Sequence, residues 1–170
     1  SKTITTDFYK IDPNVKINLQ SDYANQYNAG GDTALIDGIV GAEDFRTGTW
    51  QGYFDTDLNA VVDLGSLKDL NEVSVGFLKD QRSWIFYPTE VSFLFSKDGK
   101  KFINLEKHAR KYVTIESDKV EIRNVKFNKI NRKFRYVKII AKQLGKLPEW
   151  HLGAKHKGRS WLFVDEIQIK

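Results

Sequence analysis

The sequence predicts an all-β protein, a sandwich of antiparallel strands. Short apolar runs recur along the chain and are parted by turn residues. Two of the runs alternate strictly, at Val73, Val75 and Phe77 and at Val91, Phe93 and Phe95. That is the two-residue period of a strand with one face in a core. No long stretch keeps the helical period; a short helix is allowed only near Ala34–Gly38 or Leu67–Leu70.

The elements follow in order. Residues 1–29 are polar and weakly patterned, and are read as an extended N-terminal segment. Ser21–Gly31 is rich in Asn, Gln, Tyr and Gly, hence a loop. Ala60–Leu64 is a strand ending at Gly65, and the Val73 and Val91 runs supply the next two. The second of these stops at Lys97-Asp98-Gly99, a hairpin signal because Asp and Gly tolerate positive φ. Phe102–Leu105 and Tyr112–Ile115 are short strand candidates. Val120–Phe127 and Phe134–Ala141 are longer ones, parted by the polar turn Asn128–Lys133. Leu144–Arg159, with Gly, Pro, Trp and His, is a long loop, and Trp161–Ile169 is the last strand. With no internal repeat and no low-complexity linker, residues 1–170 are expected to form one domain.

Composition bounds the function. The chain has 170 residues, 41% apolar and 29% charged, ordinary for a globular domain. A domain of this size buries about 70% of the surface that its unfolded chain exposes, so it needs no cross-links. It has no cysteine, which excludes disulfides and thiolate metal sites. It has no methionine either, and the expectation is a processed protein or an excised domain. No apolar run is long enough to span a membrane as a helix. The net charge of +5 would suit a nucleic-acid binder. The lysines, however, are dispersed over Lys100, Lys101, Lys107, Lys111, Lys119, Lys126, Lys129, Lys133 and Lys138, among acids and apolar residues. They read as solvated strand faces, and no nucleic-acid partner is expected.

Five segments together carry a family resemblance. They are Gly30–Gly38 with Gly48-Thr49-Trp50-Gln51-Gly52; Ala60–Gly65; Ile85–Val91 with Ser96–Gly99; Arg135–Ile139; and Phe163–Ile167. In this order they resemble the discoidin family, also called the coagulation factor V/VIII type C domain, to which family 32 carbohydrate-binding modules belong. The variants most resembled are those appended to secreted bacterial glycoside hydrolases such as β-hexosaminidases. The resemblance implies a jelly-roll-like antiparallel β-sandwich, the galactose-binding-domain-like fold. The chain departs from the simplest pattern by inserting Ile39–Arg46 between Asp37-Gly38 and Trp50.

The resemblance also implies a structural calcium ion tying the early loop to the last strand. Asp37 and Glu166 match the family's carboxylates, and the Thr47 hydroxyl and carbonyls near Leu35 could complete an oxygen shell. Glu43 and Asp44, in the insertion, are weaker candidates. The plain alternative is that Asp37 shapes the turn before Gly38 and Glu166 pairs with a basic residue.

Sugars offer apolar C–H patches rimmed by hydroxyls, so aromatic rings with Arg, His and carboxylates suit them, and a sandwich gathers such residues on loops at one end. Three loops supply them: Arg46 and Tyr53 with Trp50; Arg82 and Trp84 with Phe86; and Trp150, His151, His156 and Arg159 with Trp161. Trp50 and Trp161 read as core, whereas Trp84 and Trp150 sit in polar loops and stay open between core and ligand contact. His151 and His156 are not at a zinc spacing, and His108, among Lys107, Arg110 and Lys111, reads as solvated.

No H-E-x-x-H, G-x-S-x-G or phosphate-loop pattern is present, and no carboxylate pair stands out, so no catalytic residue is assigned. The expected function is non-catalytic carbohydrate binding in a secreted, periplasmic or cell-surface protein. Its partners would be a glycan and a parent catalytic domain in the same chain. The alternative is a structural or protein-interaction domain that packs against the parent enzyme. Phospholipid binding would need a pair of exposed apolar residues at a loop tip, and the sequence shows no obvious pair, so a membrane partner is not expected.

Overall fold

The computed structural model describes residues 12–106 and 110–170. Lys107 and His108 lie outside the described residues, as do residues 1–11 of the first polar segment. Eight strands follow one another: β1 Lys16–Leu19, β2 Gln51–Phe54, β3 Leu58–Lys79, β4 Glu90–Ser96, β5 Ile103–Asn104, β6 Arg110–Lys111, β7 Glu121–Lys142 and β8 Trp161–Ile169. Their ladders are all antiparallel.

Strands β3 and β7 organise the molecule. They pair with each other from Leu58↔Ala141 to Lys79↔Glu121, and the register shifts between Asp63 and Lys68 and again between Leu70 and Glu72. Beside the first half of β3 lies β1, and beside the last half of β7 lies β4, which carries β5 and β6. The second half of β3 carries β8, which carries β2. The two halves form the two layers, and the bulges let each long strand bend from one into the other.

The alternating residues fill the space between the layers. Val62, Val75, Phe77, Phe93, Phe95, Val137, Ile139, Leu162 and Val164 are all buried there. Each such side chain contributes about 1.5–3 kcal/mol on burial. Successive residues point to opposite faces of a strand. Leu78 and Phe163 therefore leave the core and join Trp50 and Ile85 in a second cluster on the outer face, where Tyr27, Phe45 and Trp161 cover them. The segment before β2 is thus a lid over β8.

Some sequence expectations change. Ala60–Leu64 and the Val73 run are one strand, and so are Val120–Phe127 and Phe134–Ala141, because the polar stretches between them bulge without breaking the ladder. Leu67–Leu70 is strand, while Ala34–Ile36 forms a single 3₁₀ turn. Strands β1 and β2 lie where the sequence offered no clear run. Tyr112–Ile115 is not a strand: pairing with β4 ends at Lys111, and the chain continues as an irregular strap. Among the described residues no helix is long and apolar enough to cross a membrane.

Candidate functional site

The turn after β3 is the hub of one end of the sandwich. Asp80 and Ile85 exchange backbone hydrogen bonds of 3.1 and 3.0 Å, closing a tight loop over Gln81–Trp84. The Ser83 hydroxyl donates to the Asp80 carboxylate at 2.7 Å. Trp84 ends the turn at φ +65°, a left-handed conformation uncommon for a large side chain.

Gln81 is buried and holds two other segments to this turn. Its amide donates to the Ile115 carbonyl at 2.8 Å, and its side-chain oxygen accepts from the Ser117 N–H at 2.7 Å. Its main-chain carbonyl lies 2.7 Å from His151 Nε2. His151 Nδ1 accepts from the Gly153 N–H at 3.0 Å, so the ring's proton sits on Nε2 and is donated to Gln81. His151 is therefore a buried brace with neither nitrogen left for a ligand, which removes it from the expected contact set.

Loop 143–160 folds onto Trp84. A Cβ on Gly153 would fall 2.7 Å from Trp84 Cζ2, and one on Gly158 2.9 Å from Trp84 Cζ3, so only glycine allows the indole to lie this close. Trp84 is half-buried as a result. Trp150 is 39% exposed, with its ring 6.2 Å from buried Phe86 and 5.9 Å from His151. Trp84 is 6.0 Å from the same imidazole, so the two tryptophans share one cluster at one end of the molecule. His156 is exposed on the 3₁₀ turn Leu152–His156. Arg159 donates to the Asp55 carboxylate at 2.6 Å and ties the loop to the turn after β2. That pairing holds the Asp55 carboxyl below the usual carboxylate range.

On the other side of the hub, Arg46 and Arg82 line one groove of about 550 Å³ with Glu43, Asp44, Phe45, Asp80, Ser83 and Val120. Asp44 caps the 3₁₀ turn Phe45–Thr47 and makes a two-pronged pair with Arg46, at 2.7 and 3.0 Å. Arg82 donates to the Asp118 carbonyl at 3.1 Å. Both guanidinium groups remain largely exposed.

Tyr53 needs correction as a contact residue. It is fully buried, its hydroxyl donates to Gln51 at 2.6 Å, and burial raises its pKa. Trp50 is core as expected: its indole N–H donates to the Ala42 carbonyl at 2.7 Å and its ring fills the space that a Cβ on Gly41 would need. Trp161 is half-buried against Tyr27 and Phe54. Phe54 is 46% exposed and was missed, as was Gln81: a lone Phe after Tyr and a loop amide carry no periodic signal.

The calcium candidates divide. Glu166 lies against Asp37, and its carboxyl is pushed up to about 8, chiefly by burial and further by Asp37 and Asp165, while the N–H groups of Gly38 and Asp37 pull it down. Its Oε2 is buried without a hydrogen-bond partner. Two crowded carboxylates with an orphaned oxygen suit a hard cation. Asp37 also accepts from the Ile39 N–H at 2.8 Å, as a turn residue would. Thr47 has other partners, donating to the Asp44 carbonyl at 2.9 Å and lying 3.2 Å from the Thr49 hydroxyl. Asp44 is committed to Arg46, and Glu43 lines the Arg46 groove. Among the described residues no three His, Asp or Glu side chains gather as a metal cluster, so main-chain carbonyls would have to supply the other ligands.

Comparison with solved structures agrees with this architecture. The module CpGH89CBM32-5 of Clostridium perfringens, in complex with GalNAc-β-1,3-galactose, superposes with a TM-score of 0.56 at 18% identity over 92% of this chain and 94% of that one. The C-terminal domain of a chitobiase from Bacteroides fragilis gives 0.56 at 14% identity, covering 95% of both chains. The family 32 module of C. perfringens NanJ, in complex with galactose, gives 0.51 at 12% identity over 92% of this chain and 93% of that one. No curated protein matches the sequence significantly. The F5/8 type C domain model matches residues 16–165, and the chain belongs to that family.

Proposed function

We propose that this domain is a non-catalytic carbohydrate-binding module that docks glycan at the loop end organised by Gln81. The observation that carries the reading is Trp150: an indole 39% exposed, yet set on Phe86 and on a histidine whose two nitrogens are both engaged. A ring fixed before binding loses little entropy when a sugar stacks on it. Arg82 and Arg46 add exposed donors in the groove across the hub, and Trp84 stiffens the floor. The structural neighbours bound to galactose and to GalNAc-β-1,3-galactose support the ligand class. By the same reading the domain works outside the cytoplasm, tethered to a catalytic domain that acts on the glycan.

Calcium belongs to the proposal as a structural ion, held by Asp37 and Glu166 with main-chain carbonyls. It would neutralise the crowded carboxylates and pin the lid segment to β8.

Glycan-array screening followed by calorimetry tests the reading. Wild-type protein should bind at least one saccharide weakly, and Trp150→Ala should lose at least about tenfold in affinity, the loss expected for one stacking contact. Equal binding by the variant, or a blank array, rejects it.

A specific feature favours a second reading, packing against a neighbouring domain. Val113 and Ile115 are 85% and 74% exposed on the strap that Gln81 fixes, an apolar pair left uncovered among the described residues. Loss of parent-enzyme stability when both are changed to Ser would support that role.

A further inference from the structure

Resting on the carbohydrate reading, we propose that the ligand at Trp150 is an anionic glycan, one carrying carboxylate or sulfate groups. The argument starts from the charges on loop 143–160. Lys146, Lys155, His156 and Lys157 are all exposed, and Glu149 is the loop's only acid. Arg159 is neutralised by Asp55. Elsewhere some cations meet partners, Lys68 with Asp12, Lys79 with Glu121, Lys142 with Asp57 and Arg135 with Asp63, while others such as Lys16, Lys100, Lys111 and Lys129 stand dispersed without an ion pair among the described residues. Among the described residues, none of the three loop lysines forms an ion pair.

The backbone that carries these cations is braced. Lys157 closes the 3₁₀ turn at φ +56°, its N–H donating to the Ala154 carbonyl at 3.0 Å. Lys146 is bridged to Arg159 across the neck of the loop, and Leu147 N–H donates to the Gly158 carbonyl at 3.1 Å. The charges thus ride on the same braced loop as Trp150. A saccharide stacked on the indole would meet a loop whose exposed charges are mostly positive, with Glu149 the one acid on loop 143–160.

Leu152, 85% exposed on the same loop, is an apolar tip that the sequence did not reveal. It does not make the surface a membrane anchor. One inserted leucine is worth about 1.5–3 kcal/mol, and even a whole myristoyl chain binds membranes only marginally. Trp150 leans on Phe86 instead of projecting beside it.

Affinity electrophoresis and calorimetry with four polymers test the inference: polygalacturonate for carboxylate, dextran sulfate for sulfate, and galactan and dextran as neutral controls. Wild-type protein should prefer one of the polyanions to the neutral polymers by at least about tenfold at 50 mM NaCl and lose most of that preference at 500 mM, where screening is strong. Lys155→Ser/Lys157→Ser should remove the preference with an unchanged melting temperature, and Trp150→Ala should lower affinity for the preferred polymer. Equal, salt-insensitive binding of neutral and anionic polymers overturns the inference and leaves the carbohydrate reading standing. Binding to none of the four, with a blank glycan array, removes both. Retention on the polyanion that Trp150→Ala leaves intact shows diffuse charge attraction and overturns the inference. So does lysine-dependent binding to phosphatidylserine vesicles without binding to either polyanion.

Discussion

A single hydrogen bond joins His151 to Gln81: Nε2–H donates to the main-chain carbonyl over 2.7 Å, across a sequence gap of 70 residues. Through it the loop carrying Trp150 is fastened to the turn carrying Arg82 and Trp84. His151→Ala should cost about 1–3 kcal/mol, since the Gly153 N–H loses its acceptor and the Gln81 carbonyl keeps only the Trp84 N–H. It should also weaken glycan binding although the histidine touches no ligand. Chemical denaturation and calorimetry on the same variant read both effects; binding lost with stability unchanged would contradict the bracing role.

Gly153→Ala is expected to destabilise by about 1–3 kcal/mol, because the new methyl group meets Trp84 at 2.7 Å and Leu147 Cδ1 at 2.8 Å. For a domain of this size that is a fall of a few degrees in melting temperature. Trp84→Ala made in the Gly153→Ala background should recover part of the packing strain, so the two changes should be non-additive.

The fold and the site differed in how far they could be read from sequence. Strand positions were visible because Val91, Phe93 and Phe95 obey a period that local sterics impose. The joining of two runs into β3 was not, because Leu67–Leu70 is paired by a distant segment of β7, and tertiary pairing overrides local turn signals. Of the residues that chemistry singled out, the structure brings Trp84 and Trp150 together and Arg46 and Arg82 together. Which side chains remain outside was not legible. Tyr53 and His151 look like ligand contacts by chemistry, and they are buried because Gln51 and Gln81 give their polar atoms partners. Such pairings have no sequence spacing to announce them.

Glu166 gives a pH signature. In the metal-free protein its folded pKa lies near 8, above its ordinary 4.5. The folded state therefore keeps a proton that the unfolded chain has released, so stability is fullest below about 4.5 and declines as pH rises toward 8. Asp165, raised by burial beside it, acts with the same sign. Calcium favours the charged carboxylates, so it should raise the melting temperature most at the alkaline end and flatten the decline. Melting curves in EDTA and in calcium from pH 5 to 9 measure this. Glu166→Gln should lose both the slope due to this group and the calcium response; a calcium response kept in that variant would place the ion elsewhere.

The exposed strap makes a separate prediction. Val113→Ser/Ile115→Ser should leave the isolated domain's unfolding free energy within about 0.5 kcal/mol of wild type, as surface changes do. Glycan affinity should also be unchanged, since the strap's hydrogen bonds to the hub run through the main chain of Ile115, Ser117 and Asp118, not through the Val113 and Ile115 side chains. A loss of affinity would mean that the strap itself contributes to the docking surface.

Strands β3 and β7 each run through both layers, and this gives the molecule no separable half. Their ladder must close between segments far apart along the chain, a search that makes folding slow. Once closed, neither layer can open without unzipping the other. A single proteolytic cut in either ribbon would cost the trunk and the Gln81 loop end together, so resistance to digestion should track the whole domain's unfolding.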